Sequence, residues 1–508
     1  MARVKLSRIC EVLVAGAGPG GLVAAITLAR YGIDVVLIDK RSTPSGLSRS
    51  LVISTRGMEL MRRFGLEQAV RSGAADVKIR AWVTPDLASG EGTEMPLGSP
   101  SDAEAALASP TRPAWVAQDH HEPVMFGHLR SLPSARIRLG CQLLRVTQDD
   151  SGAHATVADA GTGAVENISA SYLIAADGAH STVREQLGIS MLGPDDLGDY
   201  ERVEFTAPLW QLAGEHRYGL YVITRPDAAG VLAPRGPGDR WSLTREIPVG
   251  SRGLAALGQD DLAGLIQRAA GTSALRPQIE RLSSWTFAAQ LAERYAQGRC
   301  FLVGDAAHRM TPRGGTGMNT AIQDAFDLGW KLAWVLRGWA GPELLATYER
   351  ERRPVAAHNV QRSSEPIGAR RETAEALPWD LGGRLPHHWL PAGSRERSTV
   401  DLIGDGLTVL AGPSDPRWLR FARYLKPNAP LNVHVIDART SQALGLQPTG
   451  ALLARPDGRE LRRWTSAGTA MAAAAESSVL PAVLAAQTTV STIHPERAVL
   501  SPRRAVPR

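Results

Sequence analysis

A chain of 508 residues is too long for one ordinary core and implies two or three domains. Its 44% hydrophobic and 21% charged residues are those of a globular protein and exclude a disordered one. The net charge of +6 comes from arginines scattered among acids, with no basic run of five or more, so nucleic acid is not an expected partner.

At the N-terminus, Arg3, Lys5 and Arg8 precede an apolar stretch, but Glu11 and the glycines from Gly16 to Gly21 interrupt it. That is a poor signal-peptide core. No uninterrupted apolar run reaches the length of a membrane span. Cys10, Cys141 and Cys300 lie far apart, without CxxC or zinc spacing; a reducing, cytoplasmic setting without disulfides is the expectation, with no metal site.

Glu11–Ala15 reads as a buried parallel strand, and Gly16, Gly18 and Gly21 then form a GxGxxG. Leu22 to Arg30 reads as a helix closed by Gly32, and Ile33–Ile38 as a second strand ending on Asp39 and Lys40. In such a unit the first glycine permits the tight turn and the second lets the backbone approach a pyrophosphate. The third lets helix and strand pack closely, and the acid accepts from a ribose hydroxyl. The helix N-terminus offers unpaired N–H groups to the phosphates. The pattern alone leaves FAD and NAD equally open.

Further along, Tyr172–Ala176 reads as a third buried strand running into Asp177-Gly178, with Arg184 one helical turn beyond Ser181. Arg299–Val303 reads as a fourth, followed by Gly304-Asp305, His308, and the loop Pro312–Asn319 that opens a long helix. Trp330, Trp334 and Trp339 in and after that helix are spaced for packing.

The glycine fingerprint, the Asp177-Gly178 pair and the Gly304-Asp305 pair, in that order, resemble the FAD-dependent aromatic hydroxylases of the p-hydroxybenzoate hydroxylase type. The resemblance covers roughly the first 375 residues. It implies that Gly16, Gly18, Gly21, Asp39 and the adjoining Lys40 hold the ADP half of non-covalent FAD. It also implies that Asp305 meets the ribityl chain, that Asp177 lies near the flavin and the route of NAD(P)H, and that Arg49 and Gln118 contact FAD. Gly315, Gly317, Met318 and Asn319, at the start of the long helix, would offer N–H groups to the negative N1–C2=O edge of reduced flavin. The loop departs from the family's usual Gly-Gln-Gly, since Thr316 stands between the glycines; backbone donors survive that change. His308 is a candidate general base or a brace beneath the loop. Arg313 is a candidate contact to an acidic substrate or NAD(P)H, with plain solvent exposure as the alternative.

The family's fold is α/β, a Rossmann-like FAD-binding domain with a β-sheet substrate domain and a thioredoxin-like C-terminal domain. Here these correspond to 1–80, 111–185 and 286–380; to 81–110 and 186–285; and to 381–508, which lacks a CxxC. Arg217–Ile223 and Arg240–Glu246 read as strands of the substrate sheet, with Tyr221, His216 and Trp241 as trial pocket residues. The long helical stretch is expected to end near Arg353-Pro354, and Leu381–His387 to link to the C-terminal domain. In that domain Val433–Asp437 and Gly450–Asp457 would supply strands. It is read as structural or oligomer-forming, with a homodimer as the assembly to test, and the residues from Pro502 as a frayed tail.

The activity implied is that NAD(P)H reduces FAD, O2 adds as a flavin C4a-hydroperoxide, and one oxygen atom passes to an electron-rich aromatic, phenolic or polyketide-like small molecule. With one dinucleotide fingerprint, already assigned to FAD, NADPH or NADH must bind transiently. Flavin movement among Gly314, Gly315 and Gly317 would gate its access. Baeyer–Villiger insertion or epoxidation, simple NAD(P)H oxidation, and a non-catalytic FAD-binding role stay open; a halogenase is disfavoured by the missing WxWxIP.

Overall fold

The computed structural model describes residues 5–248, 250, 253–365, 367–391, 397–425 and 429–476. Arg3 and the tail from Pro502 lie outside them. Val12–Ala15, Val35–Ile38, Leu173–Ala175 and Cys300–Leu302 are buried on both faces, the condition of parallel strands covered by helices. They form one parallel series in the order Cys300–Leu302, Val165–Ala175, Lys5–Ala15, Val35–Asp39 and Ala135–Leu139. The chain steps outward from the first strand, then returns to its other side. That reversal creates a crevice at the carboxyl ends of Lys5–Ala15 and Val165–Ala175, where such sheets bind ligands.

The helix Pro19–Arg30 starts on a proline suited to its first turn and packs on the long helix Gly317–Leu336. Gly329 permits their approach, because a Cβ there would stand 2.8 Å from the Thr27 Cβ. Trp330 and Trp334 are fully buried and meet edge to face.

A second sheet of seven strands runs in the order Gln278–Thr286, Asp199–Thr206, Arg240–Glu246, Gly230–Pro234, Tyr218–Ile223, Lys78–Thr84 and Thr93–Pro96. Val203, Phe205, Tyr221, Leu232, Trp241 and Leu243 face one way, into a core shared with the helix Gln259–Ala270. Strand alternation sends Arg202, Glu204, Leu220, Ala233 and Ser242 to the other face. Tyr221 and Trp241 therefore belong to the core, and His216 stacks on Trp82 at 4.5 Å. None of the three trial pocket residues lines the cleft described below.

The C-terminal unit is a four-stranded sheet in the order Leu431–Val435, Leu407–Ala411, Ala451–Ala454 and Glu460–Trp464, parallel in the first pair and antiparallel in the others. Leu407, Val409, Trp418 and Phe421 join the same apolar cluster as the N-terminal sheet.

Its seam with the rest of the chain is strongly ionic. Buried Glu59 accepts from Arg384 at 2.5 Å and from Arg56 at 2.7 Å. Fully buried Lys331 meets Asp327 at 2.6 Å and Glu351 at 3.1 Å, and Glu351 also accepts from Arg455 and Arg459. Leu381–His387, read as the link to the C-terminal domain, is pinned through Arg384. The expected helix end at Arg353-Pro354 is corrected: Ala346–Ser364 runs straight through Pro354. Pro354 is exposed, so water can satisfy the carbonyl one turn back that loses its donor.

Candidate cofactor and active site

Three strands end side by side, and each delivers one of the three motifs. Gly16 leaves the first strand with φ +108°, and a Cβ there would lie 2.1 Å from the Ala176 carbonyl oxygen. The fingerprint and the Asp177-Gly178 turn are therefore in direct contact. A Cβ on Gly21 would stand 1.9 Å from the Gly16 oxygen, whereas one on Gly18 would meet nothing within 4 Å. Gly16 and Gly21 are demanded by the fold itself. Gly18 is demanded by nothing in the protein and leaves open space beside the N-terminus of Pro19–Arg30.

Around that space several polar groups remain unpaired. Asp177 is part-buried, its Oδ2 accepts from the Val183 N–H at 3.2 Å, and its Oδ1 is buried without a partner; burial pushes its carboxyl up. Asp305, one strand over, is exposed, and its carboxylate makes no hydrogen bond or ion pair among the described residues. The N–H groups of Gly317, Met318 and Asn319 open the long helix without backbone acceptors among the described residues. Gly314 and Gly315 both take positive φ just before it, which holds the loop in a conformation that favours glycine. Asn319 spends its side chain on the scaffold: its Oδ1 accepts from the Ser54 N–H at 2.8 Å, and its amide donates to Val52 and Gly315.

Asp39 is more committed than the sequence suggests. It accepts from the Ala17 N–H at 2.7 Å and from the Arg41 backbone and guanidinium. Burial works toward its neutral form, but the Arg41 guanidinium and these amides outweigh it and hold the carboxyl below its usual range. Lys40 is exposed, without an ion pair among the described residues. Arg49 is also exposed, on a loop that Arg202 of the second sheet grips by donating to the Ser48 carbonyl. Gln118 starts the helix Gln118–Ser131; its N–H donates to the Ser50 carbonyl and its side chain to Glu122 at 2.6 Å.

The two catalytic candidates occupy different settings. His308 is fully buried, with Nε2 2.9 Å from Asp324, which also accepts from Arg352 at 2.6 Å. No atom of His308 reaches solvent, and its Nδ1 has no hydrogen-bond partner among the described residues. Arg313 spans the two sheets' units: it donates to the Tyr200 hydroxyl at 3.3 Å and lies over the Phe287 ring, itself stacked on Tyr200 at 3.6 Å.

A cleft open to solvent runs beside this loop, lined by Val52, Gly315, Asn319, Asn359, Arg371 and Trp379 among others. Arg371 is 5% exposed, packs against Gly314, and has a buried Nη2 without a partner. Sequence reasoning missed both Arg371 and Glu122. Arg371 lies beyond every motif; Glu122 was in principle legible, one helical turn from Gln118.

Among known families, an FAD-binding domain model matches residues 9–363, and an aromatic-ring hydroxylase C-terminal model matches 379–486. The chain belongs to the FAD-binding aromatic-ring hydroxylases. It is a flavin-dependent monooxygenase of that family, similar to tetracenomycin A2 monooxygenase-dioxygenase of Streptomyces glaucescens, with 34% identity over 88% of this chain and 92% of the relative. It is 35% identical to 2,4-dichlorophenol 6-monooxygenase of Delftia acidovorans, over 70% of this chain and 63% of that one. Among solved structures it is similar to aklavinone-11 hydroxylase in a ternary complex with FAD and aklavinone, at 28% identity and a TM-score of 0.82, covering 92% of this chain and 99% of that one. No helix among the described residues of this hydroxylase is long and apolar enough to cross a membrane.

Proposed function

We propose that this hydroxylase uses NADPH or NADH to insert one oxygen atom from O2 into a phenolic ring of a fused, polyketide-like aromatic. The observation that carries the substrate class is Arg371, a buried guanidinium with an unpaired Nη2 beside the glycine loop. A buried donor of this kind calls for an anionic partner. A phenolate meets that need, and deprotonation also makes its ring more reactive toward an electrophilic oxygen. A likeness to tetracenomycin and aklavinone enzymes along nearly the whole chain supports a larger aromatic over a simple phenol.

The residues present fit FAD. Open space at Gly18, the free carboxylate of Asp305, the orphaned Oδ1 of Asp177 and the bare amides of Gly317–Asn319 are unmatched needs that one extended cofactor meets. In this reading Gly16, Gly18, Gly21 and Asp39 hold its ADP half, with Arg49 and Gln118 beside it, and Asp305 holds its ribityl chain. Bound FAD supplies reduction by the nicotinamide and activation of O2. The protein's own part is to orient the ring, exclude water and hold charge. The amides of Gly317, Met318 and Asn319 at the helix N-terminus stabilise negative charge on the reduced ring, and the second sheet keeps water from the reacting atoms. His308 braces the loop, and Arg313 fastens it to the sheet through Tyr200 and Phe287. We read the C-terminal unit as thioredoxin-like, supported by its strand order and directions; it carries no cysteine, since Cys10, Cys141 and Cys300 all lie before it.

The test is a panel of phenols and fused-ring phenolic polyketides, scored by stimulated NAD(P)H oxidation and by product mass. We expect a fused-ring phenol to give a product one oxygen atom heavier and to accelerate anaerobic flavin reduction at least tenfold, about 1.4 kcal/mol of barrier. Products formed only from simple phenols, or lactone products from ring insertion, would overturn the substrate class or the reaction respectively.

A further inference from the structure

We propose that Glu122 is a positioning residue for the ADP half of FAD and that it couples cofactor binding to proton uptake. The inference rests on the FAD reading above and goes beyond it by giving a role to a residue outside every motif. Glu122 is 1% exposed, one turn into the helix Gln118–Ser131. Its Oε1 accepts from the Gln118 side chain at 2.6 Å, which fixes which way that carboxamide faces. Its Oε2 is buried and has no partner. A carboxylate with one satisfied oxygen and one orphaned oxygen costs free energy as an anion in a buried site. Protonation turns that orphan into a donor.

The charges around it belong mostly to the cofactor site. Arg41 and Arg49 favour its ionised form and Asp39 opposes it. On its own helix, Asp119 is committed to Arg235 and Arg240. His120 shares its ring with the Ala69 carbonyl, and His121 is fully buried, its pKa pushed down to about 3 chiefly by that burial and so uncharged. Burial is the largest influence on Glu122 itself; it pushes the carboxyl up to about 7 against the pull of Gln118, Arg41 and Arg49.

The sign follows. The FAD diphosphate is a dianion that competes for Arg49 and repels a carboxylate, so binding raises the Glu122 pKa further. A group whose pKa rises on binding takes up a proton, and affinity strengthens as pH falls through the neutral range. A rise of one unit corresponds to about a tenfold change in affinity.

Ultrafiltration of the holoenzyme at pH 6 and pH 8.5, with free FAD read by fluorescence at constant ionic strength, tests this directly. Free FAD has no titrating group in that interval. The wild type should bind FAD roughly tenfold more weakly at pH 8.5. Glu122→Gln keeps an acceptor for Gln118 but cannot ionise, and should hold its affinity within about threefold across the range. A flat wild-type profile, or a Glu122→Gln profile with the wild-type slope, would overturn the inference. Should Glu122→Gln prove insoluble, Gln118→Ala removes a hydrogen bond that favours the charged form and must move the midpoint to higher pH; an unmoved midpoint counts against the proposal equally. A purified chain without FAD at any pH would instead remove the cofactor reading underneath.

Discussion

The crevice at the strand ends and the seam beneath the C-terminal sheet are both rich in polar residues, yet they treat them oppositely. At the seam each buried charge has a countercharge: Glu59 with Arg56 and Arg384, and Lys331 with Asp327 and Glu351, the latter shared with Arg455 and Arg459. At the crevice the opposite holds, with Asp177 Oδ1 and Glu122 Oε2 orphaned, Asp305 bare and the first amides of the long helix unmatched. Completed pairing is the mark of a fastening. Unpaired carboxylate oxygens and helix amides gathered along one crevice are what a polar ligand satisfies. The same contrast explains Asp327, Glu351 and Asp457, three acids close enough to suggest a metal: Lys331, Arg455 and Arg459 already neutralise them.

The largest effect expected from breaking this contrast lies at the seam. Glu351→Ala leaves Lys331, Arg455 and Arg459 with only Asp327 and Asp457 between them, one buried positive charge uncompensated, and should cost about 3–5 kcal/mol, read as a marked fall in thermal unfolding temperature with loss of soluble yield. The two glycines of the fingerprint sharpen the comparison within the crevice. Gly18→Val adds side-chain atoms where the protein has none, so the chain should fold with unchanged circular dichroism. It should lose FAD by at least about a hundredfold, near 2.7 kcal/mol, seen as a lost 450 nm band. Gly21→Val drives carbon into the Gly16 carbonyl and should fail to fold; a folded, colourless Gly21→Val would show that the 1.9 Å approach is not obligatory. The smallest effect belongs to Asp305→Ala. It removes an exposed carboxylate with no partner, so stability should stay within about 0.5 kcal/mol while FAD affinity falls roughly tenfold, one lost charged hydrogen bond. Unchanged affinity would exclude Asp305 from the ribityl contact.

Much of the crevice was legible in the chain because its elements are local. An apolar run, three glycines and an alanine-rich helix specify a strand–turn–helix from neighbouring residues, and the helix Pro19–Arg30 and strand Val35–Asp39 stand within a few residues of where they were read. The misreadings share one cause. Pro354 inside Ala346–Ser364, and Tyr221 and Trp241 in a core rather than a pocket, both depend on the surroundings that distant parts of the chain create.

By itself, then, the sequence determined the parallel core, the order of the three motifs and the family to which they belong, since each rests on spacing within a short segment. Only the tertiary structure decided which polar groups are spent and which are left open. Arginines that look merely scattered in the chain, such as Arg384 and Arg455, became the fastening of Glu59 and Glu351, partners hundreds or roughly a hundred residues away. Glu122 and Arg371 acquired meaning only when burial left one atom of each without a partner. Hydrogen-bond satisfaction is a property of the whole folded surface and is written in no local stretch.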